Sequence, residues 1–304
     1  MSSLLSCRAI SKAYGAQRLF SGLDLVIGDG DRIGLIGPNG SGKSTLLKII
    51  CGLEELDDGT IDRRTNSIVS YLAQADRFIE QRGPLENLLE ALDDSPLPEE
   101  QKLSRAQSLL SRIELDDLEK PVAQLSGGWR KRLSICRSLV VEPDLLVMDE
   151  PTNHLDIEGI IWLERLLDSK SPLSPPTFIL ISHDRRFLEN TTNRTVELSS
   201  SYPGGSFQVE GQYSRFLEKK AAFLEQQQRL EEKLANKMRR ETQWLQRGPK
   251  ARTTKARYRI DEAHRLFDRL DTVKKQNRAE NQVGIDFTAS GRKTKKLMEV
   301  HDLG

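Results

Sequence analysis

Within Gly37-Pro38-Asn39-Gly40-Ser41-Gly42-Lys43-Ser44-Thr45, glycines, hydroxyls and one lysine are spaced to hold polyphosphate. Gly37, Gly40 and Gly42 let successive backbone N–H groups turn inward around phosphate oxygens, and a following helix adds the partial positive charge of its N-terminus. Lys43 supplies a full charge for the β- and γ-phosphates, and Ser44 is a Mg²⁺ ligand. This chemistry requires a strand before the loop and a helix after it. The apolar run Arg32-Ile33-Gly34-Leu35-Ile36 predicts the strand, and Leu46-Leu47-Lys48-Ile49-Ile50 predicts the helix. Binding of a nucleoside triphosphate follows.

Three more apolar runs end in polar residues suited to the same phosphates. Leu145-Leu146-Val147-Met148 leads into Asp149-Glu150, so Asp149 is expected to order the Mg²⁺ shell and Glu150 to polarise the attacking water. Thr177–Ser182 ends at His183, which at a strand end can donate to the γ-phosphate. Ile68–Leu72 ends at Ala73-Gln74, where a neutral side chain either caps the strand or senses metal and water. Ser126-Gly127-Gly128 opens an amphipathic run carrying Leu133, Ile135, Leu139 and Val140. It reads as a helix N-cap that also offers backbone N–H groups to a phosphate. Tyr14 is a turn aromatic whose place one strand ahead of the loop favours a base-stacking platform.

The elements that must hold these residues are legible in outline. Residues 4–27 alternate apolar and polar positions, predicting short half-exposed antiparallel strands with turns at Tyr14-Gly15 and Ser21-Gly22. Leu56–Ile61 turns into a further strand. Between Phe78 and Val122 the pattern becomes helical, with Leu85, Leu88, Leu89 and Leu92 on one face and Leu103, Leu109, Leu110 and Ile113 on another. Pro96 and Pro98 separate the two, giving an inserted helical subdomain over about residues 77–140. The 304 residues carry a formal net charge of only +1, so any attraction to nucleic acid must be local. Cys7, Cys51 and Cys136 have no metal-ligand spacing and read as reduced, packed thiols. No run approaches the about 18 apolar residues of a membrane span, and a cytoplasmic location without a membrane partner is expected.

In this order the motifs over about residues 4–210 resemble an ATP-binding cassette (ABC) ATPase domain. The resemblance implies an α/β P-loop cassette with an antiparallel β subdomain and an α-helical subdomain, using ATP and Mg²⁺. It implies that Tyr14 stacks on adenine, that the loop with Asn39 and Thr45 cradles the phosphates, and that Ser44, Gln74 and Asp149 serve the metal. Glu150 is then the general base and His183 steadies the γ-phosphate. Two such domains meet head to tail, so Ser126, Gly127 and Gly128 contact the nucleotide of the opposing cassette, and Asp156 also belongs to the nucleotide site. The segments Asp149–Asp156 and Gly211–Glu218 resemble the ABC-F class, soluble proteins with two cassettes in one chain. Trp129, where transporter cassettes commonly carry glutamine, and Trp244–Arg252 look most like its Uup branch. The span from Gln74 to Ser126 is short for a domain with a long extra helical arm.

From Tyr213 the composition shifts to polar and charged helices, and residues 211–290 read as an interdomain linker. A stripe of Phe223, Leu230, Leu234 and Met238, a break at Gly248-Pro249 and a second stripe of Ala256, Ile260, Ala263, Phe267 and Leu270 predict an antiparallel helical hairpin. Around its tip, basic residues from Lys237 to Arg259 surround the single acid Glu241, with Trp244 and Tyr258 available for stacking, a pattern suited to phosphate backbones. In ABC-F proteins the matching linker reaches toward transfer RNA on the ribosome. The Uup branch is also linked to DNA, so branched DNA is the alternative partner, and a transporter's energy module is the third reading. Residues 297–304 resemble residues 4–11, so residues 291–304 read as the start of a truncated second cassette.

Overall fold

Strict alternation along the buried strands sets the architecture. In a computed structural model, which describes residues 3–74, 78–113, 120–171, 173–246, 262–271, 273–274 and 277, the chain divides into two compact units, residues 1–223 and 224–304. In the first unit, β6 (Leu145–Asp149) and β7 (Thr177–Ile181) are buried throughout. Leu145, Val147, Ile179 and Ile181 face one core, and Leu146, Met148, Phe178 and Leu180 face the other. Side chains of successive strand residues point to opposite faces, so a strand apolar at every position needs a layer on each side.

Those layers are supplied as the sequence implies. A six-stranded sheet has the order β5 (Val69–Leu72), β6, β7, β3 (Arg32–Ile36), β8 (Arg194–Leu198) and β9 (Ser206–Glu210). All of its pairs are parallel except β8 with β9. One face is covered by α1 (Lys43–Ile50) and by an antiparallel sheet of β2 (Gln17–Gly28), β1 (Ser3–Tyr14) and β4 (Asp58–Arg63). The other face packs against α2 (Pro84–Glu90), α3 (Glu99–Leu110), α4 (Gly127–Leu139), α5 (Ile157–Leu167) and α6 (Arg185–Thr191). Pro98 caps α3, as a residue that cannot continue a helix backwards should.

Two expectations need correction here. β1 and β2 are 12 residues each, not short, and Ser21-Gly22 lies within β2. The register slips opposite it, between Ile10 and Lys12, and Gly22 has φ 64°. A bulge uses the same positive-φ glycine as a turn, so the residue type alone did not separate them. Leu103 is exposed, and Ala106, one turn further along α3, is the residue that faces the core.

The helix α7 (Tyr213–Gln246) begins in the first unit. There Lys220 pairs with the buried Glu197 at 2.8 Å, and Phe223 packs on Tyr202 and Phe207. Phe223 therefore belongs to the first unit's aromatic cluster and not to the hairpin seam. In the second unit residues 262–271 are helical, and Lys237 pairs with Glu262 at 3.0 Å while Asn277 donates to Glu231 at 2.6 Å, an antiparallel arrangement. The seam is Leu234 with Leu266, Leu270 and Val273, bordered by Leu230 and Met238. Phe267, expected in that seam, is 56% exposed, whereas Leu266 is 7% exposed. Ala263 and Leu270 of the predicted stripe are buried, and Phe267 gives way to Leu266 one position earlier, so the spacing runs three, four, three from Ala263 to Val273. The turn at Gly248-Pro249, the basic residues from Arg247 to Arg259, Ala256, Ile260 and residues 291–304 lie outside the described residues. Among the described residues no helix is long and apolar enough to cross a membrane.

Removing the Leu266 side chain should cost about 2 kcal/mol or more, and removing Phe267 about 0.5 kcal/mol or less. In hydrogen-exchange mass spectrometry, Leu266→Ala is expected to speed amide exchange over residues 262–271 by about 30-fold, with Phe267→Ala near wild type. Equal effects would reinstate Phe267 in the seam.

Candidate nucleotide-binding site

Parallel strands deliver their C-terminal ends to one edge, and the four chemistries leave the sheet there side by side. Leu35 pairs with Ile181, Ile181 with Asp149, and Leu72 with Met148. Gly37, His183, Glu150 and Gln74 thus follow strand ends that share a common row. An edge of this kind is where open α/β sheets bind ligands.

The loop after β3 is shaped by close packing. Gly37 has φ 145°, and a Cβ there would lie 2.4 Å from the Leu198 carbonyl oxygen of β8. Gly42, at φ 90°, caps α1, and its Cβ would lie 2.9 Å from Leu19 Cβ in β2. Both positions exclude any other residue, which fixes the loop against two strands. The first turn of α1 carries no acid, so the field of the helix N-terminus is uncompensated by its own side chains. Lys43 is buried, and its Nζ donates to the carbonyls of Gly37 at 2.9 Å and Pro38 at 3.0 Å. Burial pushes its ammonium pKa down, and the Glu150 and Asp149 charges oppose that shift. Ser41 Oγ is buried in the loop with no hydrogen-bond partner. A buried cation resting on backbone carbonyls beside an orphaned hydroxyl fits a polyphosphate.

Asp149 ends β6 on the strand face of Leu145 and Val147, the face covered by α1, and is 4% exposed. Beside it the Tyr71 hydroxyl pKa is pushed up to about 12, mainly by burial and then by the Asp149 charge. Glu150 leaves the strand with φ 49°, a left-handed conformation uncommon outside glycine, while its N–H donates to Ile181 O at 3.1 Å. Its Oε2 accepts from Asn153 Nδ2, and its Oε1 is 3.4 Å from His183 Nε2. Among the described residues no group of three or more His, Cys, Asp or Glu side chains could hold a metal by itself. Ser44 and Asp149 could supply two oxygens to a Mg²⁺ ion, which usually completes its shell with phosphate oxygens and water.

The remaining predicted residues fall as follows. Gln74 is exposed in the bend after β5, on the shared edge. Asn39 and Gly40 are exposed on the loop, and Ser44 and Thr45 are half-buried in the first turn of α1. Tyr14, at the tip of the β1–β2 hairpin, is 53% exposed, with its hydroxyl donating to Glu54. Ser126 caps α4 by accepting from the Trp129 N–H at 3.5 Å. A Cβ on Gly127 would meet nothing within 4 Å, and one on Gly128 would lie 3.5 Å from His154 O. Asp156 caps α5 by accepting from the Gly159 N–H at 2.7 Å.

Over residues 20–153, and again over residues 205–284, the chain matches family models described as ABC transporter. The chain belongs to the ABC ATPases. It is 36% identical over 99% of its length to YfmR, an uncharacterized ABC transporter ATP-binding protein of Bacillus subtilis, covering 51% of that protein. Identity is 32% to the energy-dependent translational throttle protein EttA of Haemophilus influenzae, across 90% of this chain and 54% of that one. For EttA of Escherichia coli K12 it is 30%, across 94% and 56%. The chain spans about half the length of the curated relatives it matches. Among solved structures, a dimeric bacterial ABC transporter cassette matches with a TM-score of 0.55 at 25% identity, over 64% of this chain and 94% of that one. A dimeric cassette in a post-hydrolysis state bound to ADP and Pi matches the fold with a TM-score of 0.56 at 23% identity, over 68% and 98%.

Sequence reasoning gave no role to two groups that the ABC cassette brings to this site. Asn153 meets Glu150 across a turn, and the i, i+3 spacing was its only signal. Arg132 lies over Trp129 at 4.7 Å and Trp162 at 5.5 Å and is 3.7 Å from Asp156, tying α4 to the cap of α5. Trp129 signalled this by standing where glutamine is common.

The depressed Lys43 pKa means that its charge costs stability at neutral pH, a cost that fades only as pH climbs from the lowered folded value to the unfolded one. Lys43→Met relieves that cost but loses two hydrogen bonds, so the opposed effects are expected to leave nucleotide-free unfolding within about 1 kcal/mol, about 2–4 °C, of wild type. The rise in unfolding temperature on adding ATP should disappear. Thermal denaturation with and without ATP checks both, and a retained ATP-dependent rise would remove Lys43 from the site.

Proposed function

We propose that this chain is the ATP-binding and ATP-hydrolysing half of a Uup-like ABC-F protein that acts on the ribosome in translation through its basic linker. The carrying observation is that likeness to the translational throttle proteins does not stop at the cassette. It covers 90% or more of this chain, and the second family match lies over residues 205–284, the hairpin region. The cassette is assigned to residues 1–210, the linker to 211–290, and residues 291–304 to the beginning of a further cassette.

The site's work is positioning and charge neutralisation, which is most of what phosphoryl transfer to water requires. Tyr14 stacks on adenine, and the 37–45 loop with Lys43 holds the phosphates. Ser44, Asp149 and Gln74 serve Mg²⁺, which when bound neutralises charge on the β- and γ-phosphate oxygens. Glu150 takes a proton from the water that attacks the γ-phosphorus, the bond to the β-phosphate oxygen breaks, and ADP and phosphate leave. His183 steadies the γ-phosphate. Ser126, Gly127 and Gly128 meet the nucleotide of an opposing cassette, as the open space at Gly127 supports. ATP closes two cassettes and swings the linker, and hydrolysis resets it. Arginines and lysines of the linker tip contact ribosome-bound transfer RNA, in the cytoplasm.

Glu150→Gln is expected to lower ATP turnover by about 100-fold or more while leaving ATP bound. In the two-cassette protein carrying the matching second change, ATP should drive co-sedimentation with ribosomes, and neutralising Arg252, Lys255 and Arg257 should abolish it. Rapid turnover in Glu150→Gln would sink the role of Glu150. Binding to branched DNA in place of ribosomes would keep the chemistry and move the cellular role to DNA processing.

A further inference from the structure

The turn that follows β6 closes on itself: the Asn153 N–H donates to the Glu150 carbonyl at 3.2 Å, so the side chains at its two ends meet. Asn153 Nδ2 donates to Glu150 Oε2, while Oε1 faces His183 Nε2 at 3.4 Å. The backbone at Glu150 is left-handed and its N–H is bonded to β7, so the Cα–Cβ direction is already set. What remains free in such a residue is rotation of the side chain and of the carboxylate plane. Asn153 donates to Oε2, and His183 stands 3.4 Å from Oε1 without a hydrogen bond that would fix it.

We propose that Asn153 is a positioning residue for Glu150: its side-chain amide occupies Oε2 and thereby turns Oε1 toward the attacking water. The inference rests on Glu150 being the general base. A base gains rate from being held in one orientation before reaction, and a hydrogen bond to a charged acceptor is among the stronger ones available. The chemistry also selects the residue type. Lys43 and Asp149 supply the charges near Glu150, and Asn153 adds a donor without adding a charge that would compete for the phosphates or repel the base. Serine would not reach as far from the same backbone position. Aspartate would match the shape but place a second carboxylate against the first.

The test is steady-state ATP hydrolysis by the two-cassette protein, comparing Asn153→Ala, Asn153→Asp and Glu150→Gln with wild type. Asn153→Ala is expected to lower kcat about tenfold with KM for ATP within about twofold, because the phosphates are held elsewhere. Asn153→Asp should be slower than Asn153→Ala, because like charges then oppose the base. If Asn153 merely filled space, the order would reverse, since aspartate is nearly isosteric. Wild-type kcat in both variants, a loss confined to KM, or Asn153→Asp faster than Asn153→Ala overturns the proposal. Should Asn153→Ala fail to fold, Asn153→Asp decides alone: a loss of more than tenfold supports it and wild-type turnover ends it. Glu150→Gln separates the layers. If it still turns over, the base assignment fails; if it is inactive while the Asn153 variants match wild type, only the positioning role fails.

Discussion

Lys43 is a cation held almost out of water by two carbonyls of its own loop. Such a group is tolerable only where the surrounding backbone is rigid and opposite charge stands near, because desolvation penalises the ammonium. The fold meets both conditions through neighbouring strands. β8 presses on Gly37 and β2 on Gly42, so the loop cannot relax around the lysine, while β6 brings Asp149 and Glu150 close enough to oppose the shift in its pKa. The parallel order β5-β6-β7-β3 is therefore more than scaffold, since any other neighbour for β3 would change which side chains share its edge.

How much of this was legible in the sequence depended on how local each signal was. The loop, the two apolar strands ending at Glu150 and His183, and the cap at Ser126 are defined within a few residues, and the structure places each at the expected strand or helix end. Their meeting on one edge depends on strand order, which no local pattern encodes. The misses have the same origin. Ser21-Gly22 bears a turn composition but sits in a bulge, because a positive φ serves either purpose. Phe267 fits a four–three repeat as well as Leu266 fits a three–four one through the same Ala263 and Leu270, and only packing on the facing helix decides which is buried.

Contacts that couple elements were the least legible. Tyr71 with Asp149, Arg132 between Trp129 and Trp162, and Glu197 under Tyr202 and Lys220 each join residues far apart in the chain. They share one physical feature: a charged or hydroxyl-bearing side chain enters the interior only where a partner waits. The Glu197 cluster has a consequence for the linker. Glu197 pairs in register with Ile36, immediately before the phosphate loop, and it also holds Lys220 of α7. The start of α7 is thus anchored one strand away from the phosphate loop.

Gly127 and Ser41 describe the same incompleteness from two sides. Residues that a chain's own packing forces to be glycine show a close contact or a left-handed backbone, as Gly37 and Gly42 do, and Gly127 shows neither. A methyl group there would meet only open space, so nothing within this cassette requires the glycine, and the N-terminus of α4 is open to an approaching group. In the phosphate loop the position is reversed: Ser41 Oγ is buried and has no hydrogen-bond partner among the described residues. A polyphosphate lying in one cassette's loop and covered by another's Ser126-Gly127-Gly128 turn would satisfy both at once. The two observations are independent, since one concerns space and the other an unpaired hydroxyl, and the proposed site shared between two cassettes would accommodate both.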